Sequence, residues 1–207
     1  MIFLAVEIEK KFIISERESN KLKIKSYDSI IGIIQWYVDG AGDNMKSERI
    51  RMILSEDGSQ KWIMGKKECI NGDLIHRKES ETQIEPSTIR LDDLTKYPFI
   101  IKTRRILNSP FNAEVVLDRL LRNPYLSYDI ERLMEIELTD ETDDIDKIAN
   151  EVISYYNLEI QKDVSADFRY TNQAIAFRAT KKNNDMEFQL LLNLLKKEIR
   201  SELDERQ

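Results

Sequence analysis

The sequence has one histidine, one cysteine and no surplus of basic charge, and each shortage removes a class of function. With His76 alone, multi-histidine metal centres are excluded and a Ser-His-Asp triad is disfavoured; His76 itself reads as a strand or loop residue. Cys69 alone permits neither an intrachain disulfide nor a thiolate zinc site. The 38 aspartates and glutamates outnumber the 32 lysines and arginines, leaving a net charge of −6. That balance argues against nucleic acid as a partner, because no basic excess supplies backbone affinity. No apolar run approaches the ~18 residues of a membrane helix, and the stretch ahead of Glu7 is too short for a signal-peptide apolar region. These absences give the expectation of a soluble, cytoplasmic protein. There is no internal repeat and no low-complexity linker.

What the chain does have is charge: 34% of its 207 residues are Asp, Glu, Lys or Arg, against about a quarter in an average soluble domain. The charge is patterned. Between Ala5 and Phe12, Val6, Ile8 and Phe12 alternate with Glu7, Glu9 and Lys11, the period of a strand with one apolar and one charged face. A polar, helical stretch follows from Ser15 to Lys25. Further strands are expected at Ile30 to Val38, Glu48 to Leu54, Lys61 to Ile70 and Leu74 to Ile84, with a turn over Asp39 to Asn44 and hairpins at Asp57-Gly58 and Asn71-Gly72. A short helix over Pro86 to Tyr97 precedes strands at Phe99 to Leu107, Ala113 to Leu121 and Glu131 to Thr139. The acidic run before Ile145 suits a helix N-terminus, and Ile145, Ile148, Ala149, Val152 and Tyr156 keep helical spacing. A last helix is expected from Asp185 to Glu205, with Phe188, Leu191, Leu195, Ile199 and Leu203 on one stripe. Seven or eight strands with hairpin connections predict a mainly β, α+β fold: an antiparallel β-barrel with a few flanking helices.

Several strands carry charges at i and i+2, which places each set on one face. The sets are Glu7, Glu9 and Lys11; Arg49 and Arg51; Arg77, Glu79 and Glu81; Lys102 and Arg104; Glu135 and Glu137. One such strand is an ordinary solvated face. Five together, with largely apolar reverse faces such as Val6 and Ile8, Ile50 and Met52, and Met134, Ile136 and Leu138, predict a barrel whose charged faces converge inward beneath an exterior covered in part by helices. Clustered cations suit a polyanion, with bidentate arginines and point-charge lysines. Clustered carboxylates suit Mg²⁺, which takes one or two of them together with phosphate oxygens.

These residues carry a family resemblance. Glu7 to Lys11 (EIEKK) resembles the E-x-E-x-K signature of the CYTH domain, also called the triphosphate tunnel metalloenzyme family. In the family's order there follow Gln35 to Val38 (QWYV), Arg49 to Arg51 (RIR), Lys67, the E-x-E of Glu79 and Glu81, Lys102 to Arg104 (KTR), Asp118, Met134 to Leu138 (MEIEL) and Arg169 to Asn172 (RYTN). The resemblance covers roughly residues 2 to 178. Gly65 departs from it, standing where the family has threonine, as do the residues V-V-L before Asp118 and the final helix. The resemblance implies an eight-stranded tunnel over residues 1–180, while the apolar stripe of the last helix is expected to place residues 181–207 on the barrel exterior or at a homodimer contact. The resemblance also implies Mg²⁺ or Mn²⁺ as cofactor, with Glu7, Glu9, Glu79, Glu81, Asp118, Glu135 and Glu137 as metal candidates. Lys11, Arg49, Arg51, Lys67, Lys102 and Arg104 are the phosphate candidates. The expected activity is hydrolysis of tripolyphosphate or of a small organic or nucleoside triphosphate. Cyclisation of ATP, RNA 5′-triphosphate hydrolysis and non-catalytic binding of polyphosphate or a nucleotide are the alternatives. Lys11 and Tyr37 are expected to pair as a general base, with the Lys11 ammonium pKa lowered by neighbouring cations.

Overall fold

The computed structural model describes residues 3–24, 27–39, 45–94, 96–141, 143–180 and 187–205. The elements run β1 (Phe3–Ile14), α1 (Glu16–Ile24), β2 (Tyr27–Tyr37), β3 (Lys46–Leu54), β4 (Gln60–Ile70), β5 (Asp73–Gln83), α2 (Leu91–Leu94), β6 (Phe99–Leu107), β7 (Ala113–Leu120), β8 (Arg132–Leu138), α3 (Ile145–Tyr156), β9 (Ile160–Asp163), α4 (Asn172–Ala179) and α5 (Phe188–Asp204). Every strand expected from the sequence is present. The expected helix over Pro86 to Tyr97 is a 3₁₀ turn at Pro86–Thr88 followed by the one-turn α2. The expected turn after Asp39 lies outside the described residues, as do Lys25 and the expected helix start at Asp185.

Neighbouring strands pair in the order β5-β4-β3-β2-β6-β7-β8-β1, and β1 pairs back onto β5, which closes an eight-stranded antiparallel barrel. The long β1 makes the closure. Along one edge its residues Phe3 to Ile8 pair with β5, and along the other Glu9 to Ile13 pair with β8. Beyond β5, the short β9 joins the end of β1. The hairpin between β4 and β5 turns at Asn71 (φ 53°) and Gly72 (φ 78°), two consecutive left-handed residues that match the twist of the flanking strands.

The two faces of β1 are both buried, for different reasons. Ile8, Phe12 and Ile14 point outward beneath covering elements, while Glu7, Glu9 and Lys11 point into the barrel and are only 3%, 7% and 6% exposed. α3 lies against β1 and β8, α4 against β6 and β2, and α5 against β2 and β6. Asp144 starts α3 by accepting hydrogen bonds from the backbone N–H groups of Asp146 and Lys147, and Asn157 ends it in the left-handed conformation. α5 buries Leu191, Leu192, Leu195 and Ile199. Gly32 of β2 permits its close approach, since a Cβ there would stand 2.9 Å from Leu195 Cδ2. Near the start of α5, Phe188 packs on the stacked pair Trp36 and Trp62. Trp62 is thus a packing residue. Glu202, at the far end, ties α5 to the outer face of β6 and β7 through Thr103, Arg105 and Arg119. Among the described residues no helix is long and apolar enough to cross a membrane.

Candidate functional site

Period-two alternation sends a charged face of β1, β3, β5, β6 and β8 to the barrel axis, together with Lys67 of β4. The result is a cavity of about 410 Å³. From the sequence-derived candidates it collects Glu7, Glu9 and Lys11 of β1, Tyr37 of β2, Arg49 and Arg51 of β3, Lys67 of β4, Glu79 and Glu81 of β5, Arg104 of β6, and Glu135 and Glu137 of β8.

Three ionic groups divide the lining. In the first, Glu7, Glu9 and Glu137 each bring a carboxylate oxygen within 4.8 Å of the others. Register explains the convergence, because Glu9 stands directly across from Glu137. Burial, followed by the Glu7 and Glu9 carboxylates, pushes the Glu137 carboxyl up to about 8. Glu7 Oε2 is buried without a hydrogen-bond partner. A concentration of negative charge with an orphaned oxygen is the donor set that a hard divalent cation requires.

The second group is cationic. Arg49 binds Glu79 and lies 3.4 Å from Glu81, Arg51 lies 3.3 Å from Glu81, and Lys67 lies 3.5 Å from Glu79 and 2.5 Å from Glu7. Burial opposes ionisation of Glu79, but Arg49 and Lys67 outweigh it and hold the carboxyl down at about 2. Gly65 acquires a reason here. The Arg49 side chain lies over it, with Nε 3.2 Å from where a Cβ would be, so a larger residue would press on that arginine.

The third group runs from the cavity lining into the wall behind it. Lys11 Nζ is 2.7 Å from Glu135 and 3.6 Å from Glu9. Arg104 binds Glu135 and grips Asp118 with two hydrogen bonds of 2.7 Å. Asp118 also takes Lys102. Lys102 and Asp118 are 2% and 0% exposed and do not line the cavity. The structure therefore does not bring Asp118 to the carboxylate cluster, nor Lys102 to the cavity wall. Together they form a buttress behind Arg104.

The expected Lys11–Tyr37 pair is not formed. Gln35 Nε2 donates to the Tyr37 hydroxyl, and Arg51 Nε donates to Gln35 Oε1 at 3.0 Å. Burial raises the Tyr37 hydroxyl to about 12. For Lys11, burial disfavours the ammonium, but Glu135 and Glu9 outweigh it, so its pKa is raised where the sequence reading expected a fall. The cause is Glu135, a partner supplied by register across β1 and β8.

The sequence reading did not place Arg77, Glu114 or Gln173 at a site and gave Thr171 and Asn172 no role beyond the RYTN motif, yet all line the cavity. Arg77 was visible as part of an alternating set. Its guanidinium is 2.7 Å from Glu9 and 3.3 Å from Glu7. Thr171 caps α4 by accepting a hydrogen bond from the Ala174 N–H, and Asn172 and Gln173 face the cavity beside it. His76 lies outside this lining and contacts Asp73 at 2.6 Å.

No protein-family model matches the chain, and a comparison with curated proteins finds no match. Solved structures do match. HpAC1 from Hippeastrum, described as a candidate adenylyl cyclase that reveals a dominant triphosphatase activity, aligns over 84% of this chain and 94% of its own at 11% identity, with a TM-score of 0.56. The PH1819 protein from Pyrococcus horikoshii OT3 aligns over 74% of this chain and 92% of its own at 16% identity, with a TM-score of 0.53. The inorganic triphosphatase NE1496 aligns over 82% and 93% at 20% identity, with a TM-score of 0.45. At such identities the likeness concerns the fold, and it is the fold that the CYTH resemblance implies.

Proposed function

We propose that this chain is a divalent-metal-dependent triphosphatase acting on tripolyphosphate or a small organic or nucleoside triphosphate. The observation that carries the reading is the joint lining of one barrel cavity by a carboxylate cluster and a set of buried cations. Neither half is explained by stability, since taking charges out of water is costly even when they are paired. The activity described for HpAC1 supports the same reading.

In this proposal Glu7, Glu9 and Glu137 hold the cation, Mg²⁺ or Mn²⁺. Such an ion neutralises phosphate charge and lowers the pKa of a water. The rest of the work falls to side chains already in place. Arg49, Arg51, Lys67, Lys11 and Arg104 surround the triphosphate, and their ion pairs with Glu79, Glu81 and Glu135 hold them in position before substrate arrives. Fixed charge aimed at the transferring group is the main source of rate in phosphoryl transfer. Lys102 and Asp118 act through Arg104. Water attacks the terminal phosphorus, the bridging P–O bond breaks, and the diphosphate leaves with the bridging oxygen; the orthophosphate keeps the attacking oxygen, and the water's protons pass to phosphate oxygens and solvent.

The test is a product assay with tripolyphosphate, ATP, GTP and thiamine triphosphate, with Mg²⁺ or Mn²⁺ and with chelator. Orthophosphate release that needs the metal is expected. Cyclic AMP with pyrophosphate, at a higher kcat/KM than tripolyphosphate cleavage, would replace the hydrolase by a cyclase. Tight binding without turnover would make the chain a polyphosphate-binding module.

A further inference from the structure

The carboxylate cluster contains a guest of opposite charge. Arg77 of β5 stands directly across from Glu7 in the barrel wall. It is buried and donates to Glu7 Oε1 at 3.3 Å, and it lies 2.7 Å from Glu9 Oε1. Both carboxylates belong to the proposed cation site.

We infer that Arg77 is an exchangeable counter-ion, which neutralises Glu7 and Glu9 while no divalent cation is bound and turns to the substrate's phosphate oxygens when one enters. The inference rests on the metal reading of Glu7, Glu9 and Glu137. Its consequence is that cation and triphosphate bind cooperatively, each making the other's site available.

Three features support the exchange. First, a guanidinium cannot shed its proton inside a protein. The conflict between Arg77 and an incoming cation is therefore not relieved by deprotonation, and the group has to move. Second, the two cations on Glu7 differ in where they can retire. Lys67 has Glu79 Oε2 at 3.5 Å as a second partner. For Arg77, Glu7 and Glu9 are the only carboxylates at ion-pair distance among the described residues. Its alternative is the cavity that it lines. Third, Arg77 Nε is buried without a hydrogen-bond acceptor. The side chain thus has a donor to spare, and a planar fork matches phosphate oxygens better than an ammonium does.

The experiment is calorimetric titration of the full chain with Mg²⁺, alone and with imidotriphosphate as a non-hydrolysable triphosphate probe. In the wild type the probe should tighten Mg²⁺ binding by about tenfold or more, within the usual range of coupling between sites. Arg77→Met should bind Mg²⁺ alone about tenfold more tightly than the wild type, and the probe's effect should shrink to within about threefold. A purely structural arginine predicts the opposite sign, since a loosened cluster loses affinity. Unchanged or weaker Mg²⁺ binding in a folded Arg77→Met protein overturns the exchange. If that variant does not fold, Arg77→Lys decides: a coupling factor reduced at least about threefold supports the exchange, and an unchanged factor overturns it. Glu9→Gln is the control for the underlying reading. If the wild type and Glu9→Gln give the same Mg²⁺ isotherm, the cation site itself is wrong and the exchange falls with it.

Discussion

Lys102 and Asp118 form an ion pair from which water is almost wholly excluded, and the pair stands behind the cavity wall. Burial first, and then Arg104, lowers the Lys102 ammonium to about 8. The folded environment therefore disfavours this ammonium relative to water. Asp118 would keep two hydrogen bonds from Arg104 if the lysine were removed.

Lys102→Met should thus stabilise the protein at pH 7, by about 1–3 kcal/mol. The sign follows from linkage. Between pH 8 and about 10.5 the unfolded chain binds a proton on this lysine that the folded chain has lost, so wild-type stability rises with pH across that window. The advantage of the variant should shrink accordingly, as read by denaturant unfolding at neutral and alkaline pH. A gain independent of pH, or a loss, would count against the assignment. In kinetics, Lys102→Met should raise KM less than Arg104→Met, because only Arg104 lines the cavity.

The cluster of Glu7, Glu9 and Glu137 gives an opposite pH dependence. The Glu137 carboxyl is held up near 8, so between about pH 4.3 and 8 the folded state binds a proton that the unfolded state has released. Stability from this group declines as pH rises through that window. Glu137→Gln should remove the decline, and it should also remove the rise in Tm that Mg²⁺ gives the wild type at pH 8. Thermal melts at two pH values, with and without Mg²⁺, check both. A variant whose Tm still responds to Mg²⁺ like the wild type would take Glu137 out of the cation site.

In the proposed reaction Tyr37 has a positioning role. Its hydroxyl is committed to Gln35 and raised to about 12. Tyr37→Phe should therefore lower kcat for tripolyphosphate by less than about tenfold, short of the 10²–10⁴ expected from loss of a general base. A loss of that larger size, with Tm unchanged, would restore the base.

Glu202 closes the seam between α5 and the barrel. It accepts from Thr103 at 2.9 Å, from Arg105 at 2.6 Å and from Arg119 at 2.8 and 3.1 Å. Glu202→Ala should cost about 3–5 kcal/mol, the scale for removing one partner of a buried charge group. KM in protein that remains folded should stay near the wild-type value, since the clamp lies on the outer face. A raised KM without loss of stability would show that the clamp reaches through β6 and β7 to Arg104.

How much of this was legible beforehand depends on the kind of information involved. The inward set Glu7, Glu9, Lys11 and its counterparts were readable because period two is written in the sequence itself. Alternation gives the face of a strand, however, and not the depth along the barrel. That is why Lys102 and Asp118 looked equivalent to Arg104 and Glu135. The Lys11 pKa was misjudged for a related reason. Its cationic neighbours share the local motifs, whereas Glu135 arrives only by strand register. α4 was missed because Gln173, Ile175, Ala176 and Ala179 are all buried, which leaves a short helix with little contrast between its faces. β9 has four residues and, among the described residues, pairs with the end of β1 alone, too short a run to show alternation.

The closing role of β1 has a consequence for the order of assembly. Residues 9 to 13 of this strand find their partners in 133 to 137, so the barrel cannot shut until most of the sequence is available. Pairings of such long sequence separation form late and slowly, because the intervening loop must be ordered first. Glu9 and Glu137 meet at this same junction. The proposed cation site is therefore absent from every partly folded form in which the seam is open. An ion that recognised all three carboxylates would bind only the finished barrel, and would act as a latch on its last step.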